Sequence, residues 1–229
     1  METFEPLFTI AIGGLKIGIT SSIIVQWIII IALLILAKFF TANMKKIPNK
    51  KQSGVEILVG FLNNFVKGNM GEEYVNYIPY IGTLGVYIIV MNIVPASFGI
   101  AAPTEDLSVA AGLAIISFVL IQTNAIKKGG VRGYLLKYAQ PAIPLLPLNI
   151  IERIVLPVSL SLRLFGNMVA GAVIISMVYK GLAGMAWFSQ FIIPIPLHAF
   201  FDLFDGSIQM IVFVMLTMMN IKVVAENEF

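Results

Sequence analysis

The sequence predicts an all-α integral membrane protein with five transmembrane helices, an amphipathic helix on the membrane surface, and two long, strongly tilted C-terminal helices. Three observations carry that prediction. Of 229 residues, 59% are hydrophobic and 12% charged, about half the charged fraction of a soluble domain, with a mean hydropathy of +0.93. Several segments stay apolar over the ~20 residues needed to cross a hydrocarbon core. Basic residues cluster in alternate connections, as expected of a chain that threads a membrane repeatedly.

The elements follow in order. A first span covers Ile17–Phe40 and ends in the basic connection "TANMKKIPNKKQ". In "SGVEILVGFLNNFVKGNM", Leu58, Phe61, Leu62 and Phe65 fall on one helical face, with Glu56, Gly60, Asn63 and Lys67 opposite. That spacing predicts a surface helix. A second span, Ile78–Ile100, leads through the acidic loop "APTED" to a third at Leu107–Ile126, followed by "KKGGVRGYLLK". Two long segments complete the chain, about 147–180 and 188–224, separated by "KGLAGMAW". At ~1.5 Å per residue the stretch from Asn149 to Tyr179 would reach ~46 Å as one helix, against ~30 Å of hydrocarbon, so tilt or bending is required. Pro157, Pro194 and Pro196 are the expected kink sites, since proline removes a helix donor.

Orientation follows from Lys45, Lys46, Lys50, Lys51 and Lys67 after span one and Lys127, Lys128, Arg132 and Lys137 after span three. The other side carries Lys16 and Lys180 with Glu2, Glu5, Glu105 and Asp106. The expectation is an external N-terminus and a cytoplasmic C-terminus. "METFEPLFTIAIGG" lacks the basic start of a cleavable signal, so the first span is expected to lead insertion. No internal repeat or linker divides the chain, which reads as one membrane domain over 1–229.

Several chemistries are excluded. The net charge of +3 is spread along the flanks of the spans, so no nucleic-acid partner is expected. There are no cysteines and one histidine, which removes thiolate chemistry and Cys- or His-rich metal sites. No phosphate-binding Walker sequence or HExxH occurs, so no cofactor is expected; a Ser–His–Asp intramembrane hydrolase could use His198, but no serine sits in a GxSxG elbow.

What stands out is polar. Arg163, in "SLSLRLFGNMVAGAVI", has nine uncharged residues before it and sixteen after it, and an ionisable residue so placed is a functional hypothesis by default. Glu152, Ser159, Arg163 and Asn167 recur at offsets 0, 7, 11 and 15 on one helical face. Glu152 and Arg163 lie ~16 Å apart along it, too far for an ion pair. On the last segment His198, Asp202, Asp205 and Gln209 recur at 0, 4, 7 and 11. Two carboxylates early in a span are costly unless they face water or titrate. The plainer alternatives are an interfacial charge at Glu152, a helix-end role for His198, and interhelical hydrogen bonding by Asn167 and Gln209. A secondary transporter would also use mid-membrane charges, but would bring repeats and broken helices in matching halves.

"SLSLRLFGNMVAG", together with "IQMIVFVMLT", resembles the signature of subunit a, the membrane stator of F-type ATP synthase, and the resemblance extends over nearly the whole chain. It implies proton or sodium translocation coupled to rotation, in a bacterial plasma membrane. The implied partners are the c-subunit ring, the b subunits of the peripheral stalk and the rest of the complex, within membrane lipid. ATP chemistry would sit on other subunits. Arg163 matches the family's arginine between two half-channels and Gln209 its glutamine, with Asn167 and Gln209 orienting Arg163 or water. Glu152 and Ser159 would belong to the cytoplasmic half-channel and Asp202, Asp205 and His198 to the external one. Gly166, Ala170 and Gly171 would allow close approach to the ring. Departures are Ala172, where relatives often carry glutamate, Asp202, where they carry histidine or glutamate, and Glu152, one turn after their usual glutamate near Asn149.

Overall fold

The computed structural model describes residues 8–12, 15–42, 44–137, 143–184 and 192–226. Glu2, Glu5, Phe188 and part of the "KGLAGMAW" turn lie outside them. Among the described residues, five helices are long and apolar enough to cross a membrane: Ser21–Thr41, Glu72–Ser97, Leu107–Tyr134, Leu146–Leu182 and Pro194–Ala225. The expected all-α membrane body is therefore present.

Ahead of it lies a small element that periodicity did not suggest. Strands β1 (Phe8–Ile12) and β2 (Leu15–Ile19) pair antiparallel, with Phe8 opposite Ile19 and Ile12 opposite Leu15. The signal was available: two short, isoleucine-containing runs flank a Gly-Gly pair, which is hairpin chemistry. The first span consequently starts later than Ile17, as α1 (Ser21–Thr41). It buries only Ser22 and Ile29, and packs against the helices that follow along one narrow line.

Helix α2 (Lys50–Met70) is the amphipathic segment. Its protein-facing stripe is Leu62, Val66 and Met70, with Phe65 beside it, whereas Leu58 and Phe61 are exposed. The face read from sequence is thus divided: its C-terminal half docks on protein and the rest is left for lipid. Lys51 Nζ sits 4.7 Å over the Phe39 ring of α1.

The core joins α3 (Ile78–Ser97), α4 (Leu107–Lys137), α5 (Leu146–Leu182) and α7 (Gly206–Glu226). Between apolar helices in lipid, close packing and hydrogen bonds must replace the hydrophobic drive. Helix α4 meets both needs. Ala110, Ala114, Ser117, Ile121 and Ala125 form a fully buried stripe of mostly small residues. Tyr80 and Ser117 hydroxyls are 2.8 Å apart. Asn124 accepts from the Tyr77 hydroxyl at 2.7 Å and donates to the Ile221 carbonyl at 3.1 Å, tying α4 to helices on both sides.

The breaks fall elsewhere than the prolines predicted. Helix α5 runs through Pro157 without interruption. Its 37 residues span ~55 Å, so the excess over ~30 Å of hydrocarbon is taken up over the whole helix. Pro194 and Pro196 belong to the first turn of the short helix α6 (Pro194–His198), where the missing N–H costs little. What interrupts the last span is a π-helical segment, Ala199–Asp205. In α4 the break is Gly130, with φ at +67°, a conformation that favours glycine.

Candidate functional site

Helix α5 divides its residues cleanly. Leu160, Leu164, Met168, Gly171 and Ile175 are buried against the bundle, at the three- and four-residue spacing of one face. The opposite face is open: Glu152, Ser159, Arg163, Gly166 and Ala170 are all exposed. Among the described residues Arg163 has no hydrogen-bond or ion-pair partner. A guanidinium on a bare lipid-facing surface at mid-helix is costly, so this face is built to be covered by something that offers a negative or polar group. Gly171 differs from the expectation for it. A Cβ there would stand 3.2 Å from Phe201, so its smallness serves the contact between α5 and the last span, and it does not lie on the exposed face with Gly166 and Ala170.

On the inner side of the same helix is a cleft of ≈ 620 Å³. Along α5 it is lined from Lys180 and Tyr179 down to Asn167, a run of ~20 Å. Asn167 is one turn short of Arg163, and the cleft lining contains no residue of α5 before it. The other walls are the end of α3, the connection Gly99–Glu105, and His198, Phe201 and Asp202 of the last span. Among the described residues the cleft thus runs from the acidic connection to Asn167, one turn from the arginine.

Its polar groups are connected. The His198 Nδ1 and Asp202 Oδ2 atoms are 2.6 Å apart, and the Tyr179 hydroxyl is 3.3 Å from His198 Nε2. One proton lies between Nδ1 and Asp202, and the second ring nitrogen is turned toward Tyr179. His198 is thus part of the cleft and more than a helix end.

The stripe read on the last span does not persist as one face. Asp202 lines the cleft, Asp205 does not, and Gln209 is buried. The π segment is the cause: its wider i→i+5 turns rotate everything after it relative to His198. Neither Asn167 nor Gln209 is hydrogen-bonded to Arg163. Glu152 and Ser159 lie on the exposed face, away from the cleft.

Sequence reasoning passed over three residues here. Asn92 is buried; its Oδ1 accepts from Thr104 Oγ1 at 2.7 Å, and its Nδ2 donates to the Gly206 carbonyl at 3.3 Å. One amide thereby fastens the connection to the end of the π segment. Glu105, noted in the sequence only as a loop charge, is half-buried in the cleft wall. Burial raises its carboxyl above the usual range, a hydrogen bond from the Ala102 N–H opposes this, and the charge of Asp202 adds to it. An asparagine inside an apolar span was the available signal for Asn92; nothing local marked Thr104 or Glu105.

Residues 23–222 match the family described as ATP synthase A chain. The chain belongs to the ATP synthase subunit a family. It is 35% identical to ATP synthase subunit a of Moorella thermoacetica, over 88% of this chain and 88% of that protein. It is 31% identical to the sodium-ion-specific ATP synthase subunit a of Propionigenium modestum, over 97% of this chain and 80% of the relative. A third relative, ATP synthase subunit a 2 of a Bradyrhizobium species, is 32% identical over 87% of this chain and 86% of its own. Membership makes the chain a multi-pass, non-catalytic membrane subunit of the F-type complex, acting in ion translocation with the c-ring.

Proposed function

We propose that this chain conducts protons between the two sides of a bacterial plasma membrane through two offset half-channels at the c-ring, and so couples the gradient to ATP synthesis. The observation that carries the reading is the cleft whose described lining reaches Asn167, one turn from Arg163, which has no partner among the described residues. A through-pore would short-circuit the gradient; a passage stopping at a fixed cation on an open face hands its ion to whatever covers that face.

In this reading the exposed face of α5 meets the ring, with Gly166 and Ala170 allowing close approach. The N-terminus is external, the C-terminus cytoplasmic, and b subunits hold the chain against rotation. The cleft is the external half-channel, with Asp202 and His198 in it and Asn167 at its inner end. Asp205, outside the cleft lining, and the buried Gln209 continue the external path toward the ring. Glu152 and Ser159 mark the cytoplasmic path along the exposed face.

A guanidinium is a fixed cation. A cation within hydrogen-bonding reach favours the ionised form of a ring carboxylate by roughly 1.4–4 kcal/mol, enough to discharge the proton into the outgoing path. The same charge repels a cation that would cross directly between the paths. A fully dehydrated ion pair would hold the ring in place, so the face must keep some water.

Protons suit the Tyr179–His198–Asp202 series, whose side chains carry exchangeable hydrogens. A sodium-translocating version is the second reading, favoured by the 31% identity to a sodium-specific relative. The test is ATP-driven ion uptake into inverted vesicles carrying the Arg163→Ala enzyme, with assembly checked by native gel. Loss of uptake in the assembled complex is expected; uptake near the native level overturns the reading. Native uptake in sodium-free buffer separates proton from sodium.

A further inference from the structure

We propose that Glu105 is a proton-transfer residue of the cleft, collecting protons from water at the mouth and passing them to Asp202. The inference rests on the half-channel reading and adds a member to it.

Three observations lead there. First, among the described residues the cleft-lining side chains include just two carboxylates, Glu105 and Asp202, on opposite supports: the connection and the last span. The α5 wall offers Asn167, Ala172, Ser176, Tyr179 and Lys180, none of them acidic. The neighbouring Asp106 is absent from the lining and is held by the Ser108 N–H and hydroxyl, at 2.9 and 2.6 Å. Second, Glu105 is fixed. Its Oε1 accepts from the Ala102 N–H at 3.2 Å, and Thr104 beside it is clamped by Asn92, which also holds Gly206 just beyond Asp202. The two carboxylates are thus supported from one buried amide. Third, among the described residues the charged and titratable groups that share the cleft with Glu105 are Asp202 and His198 from the last span and Tyr179 and Lys180 from α5. Burial and the Asp202 charge together favour its protonated form, which moves the group toward the range where it can both take and give a proton near neutral pH.

The transfer balances simply. The Glu105 carboxylate takes a proton from water and becomes neutral. It releases that proton through cleft water to the Asp202 carboxylate and returns to the anion, and Asp202 passes the proton inward toward Asn167.

Glu105→Gln tests this, because the amide keeps an oxygen for the Ala102 N–H while abolishing titration. The measurement is gradient-driven ATP synthesis by the whole enzyme in inverted vesicles, with lumenal pH stepped from acid to alkaline in sodium-free buffer. The expected result is a rate about 10²-fold below native at alkaline lumenal pH, the lower end of what a positioned proton-transfer group contributes, converging on native as the lumen is acidified. Adding Ala172→Glu, which returns a carboxylate to the same cleft, restores alkaline activity. A native rate at every pH, or a deficit independent of pH, overturns the assignment. Arg163→Ala run in parallel keeps the two readings apart. Coupled synthesis surviving in that variant sinks the half-channel itself; synthesis lost there and native in Glu105→Gln sinks only the role of Glu105.

Discussion

Two glycines five residues apart on α5 differ in what they touch, and valine at each gives opposite outcomes. A Cβ at Gly171 would lie 3.2 Å from both Cβ and Cδ1 of Phe201 and 3.4 Å from Cγ, whereas nothing lies within 4 Å of a Cβ at Gly166. Alanine at 171 gains about 1 kcal/mol of helix propensity, which offsets a contact a few tenths of an ångström too tight, so that variant is near neutral. Valine puts two more carbons into the same gap, and overpacking of that size costs ~1–3 kcal/mol. That is ~5- to 150-fold in the folding equilibrium. The strain falls on Phe201, which lines the cleft beside Asp202, so ion flux drops with stability. Gly166→Val leaves stability within ~0.5 kcal/mol but crowds the face proposed to meet the ring, and lowers coupled pumping alone. Thermal denaturation of the solubilised complex and passive ion flux through the membrane sector read the two effects. The reasoning fails if Gly171→Val is native in both, or if Gly166→Val is as destabilised as Gly171→Val.

Two further outcomes follow from the geometry. Asn124→Leu removes the hydrogen bonds to Tyr77 and Ile221 and should destabilise the bundle by ~0.6–2 kcal/mol; an unchanged thermal midpoint would show that these bonds do not hold α4 in place. Glu105 should also make stability depend on pH. Burial, then Asp202, raise its carboxyl above 4.5, against the Ala102 hydrogen bond. The folded chain therefore keeps a proton that the unfolded chain has lost, and stability falls as pH rises from about 4.5 through the raised value. Glu105→Gln removes that fall, so its midpoint gains on the native one with rising pH across this window and is level above it. A difference flat across the window counts against the assignment.

Composition and hydropathy by themselves determined the membrane class, the five spans and the surface helix, because a hydrocarbon core admits few ways to satisfy a backbone. An arginine amid apolar residues identified Arg163 for the same energetic reason, without any knowledge of its neighbours. Side-chain phase along a regular helix placed Glu152, Ser159 and Arg163 on one face correctly, since α5 is uninterrupted. The same arithmetic failed after His198, where the π segment changes the rotation per residue and separates Asp205 and Gln209 from the face that His198 and Asp202 share. Gly171 could not be told from Gly166 by identity, because only the approach of Phe201 distinguishes them. Glu105 lies almost a hundred residues from Asp202 in the chain, and that separation carries no local signal. Their meeting in one cleft was decided by tertiary structure, through the Asn92 amide that binds Thr104 and Gly206 at once.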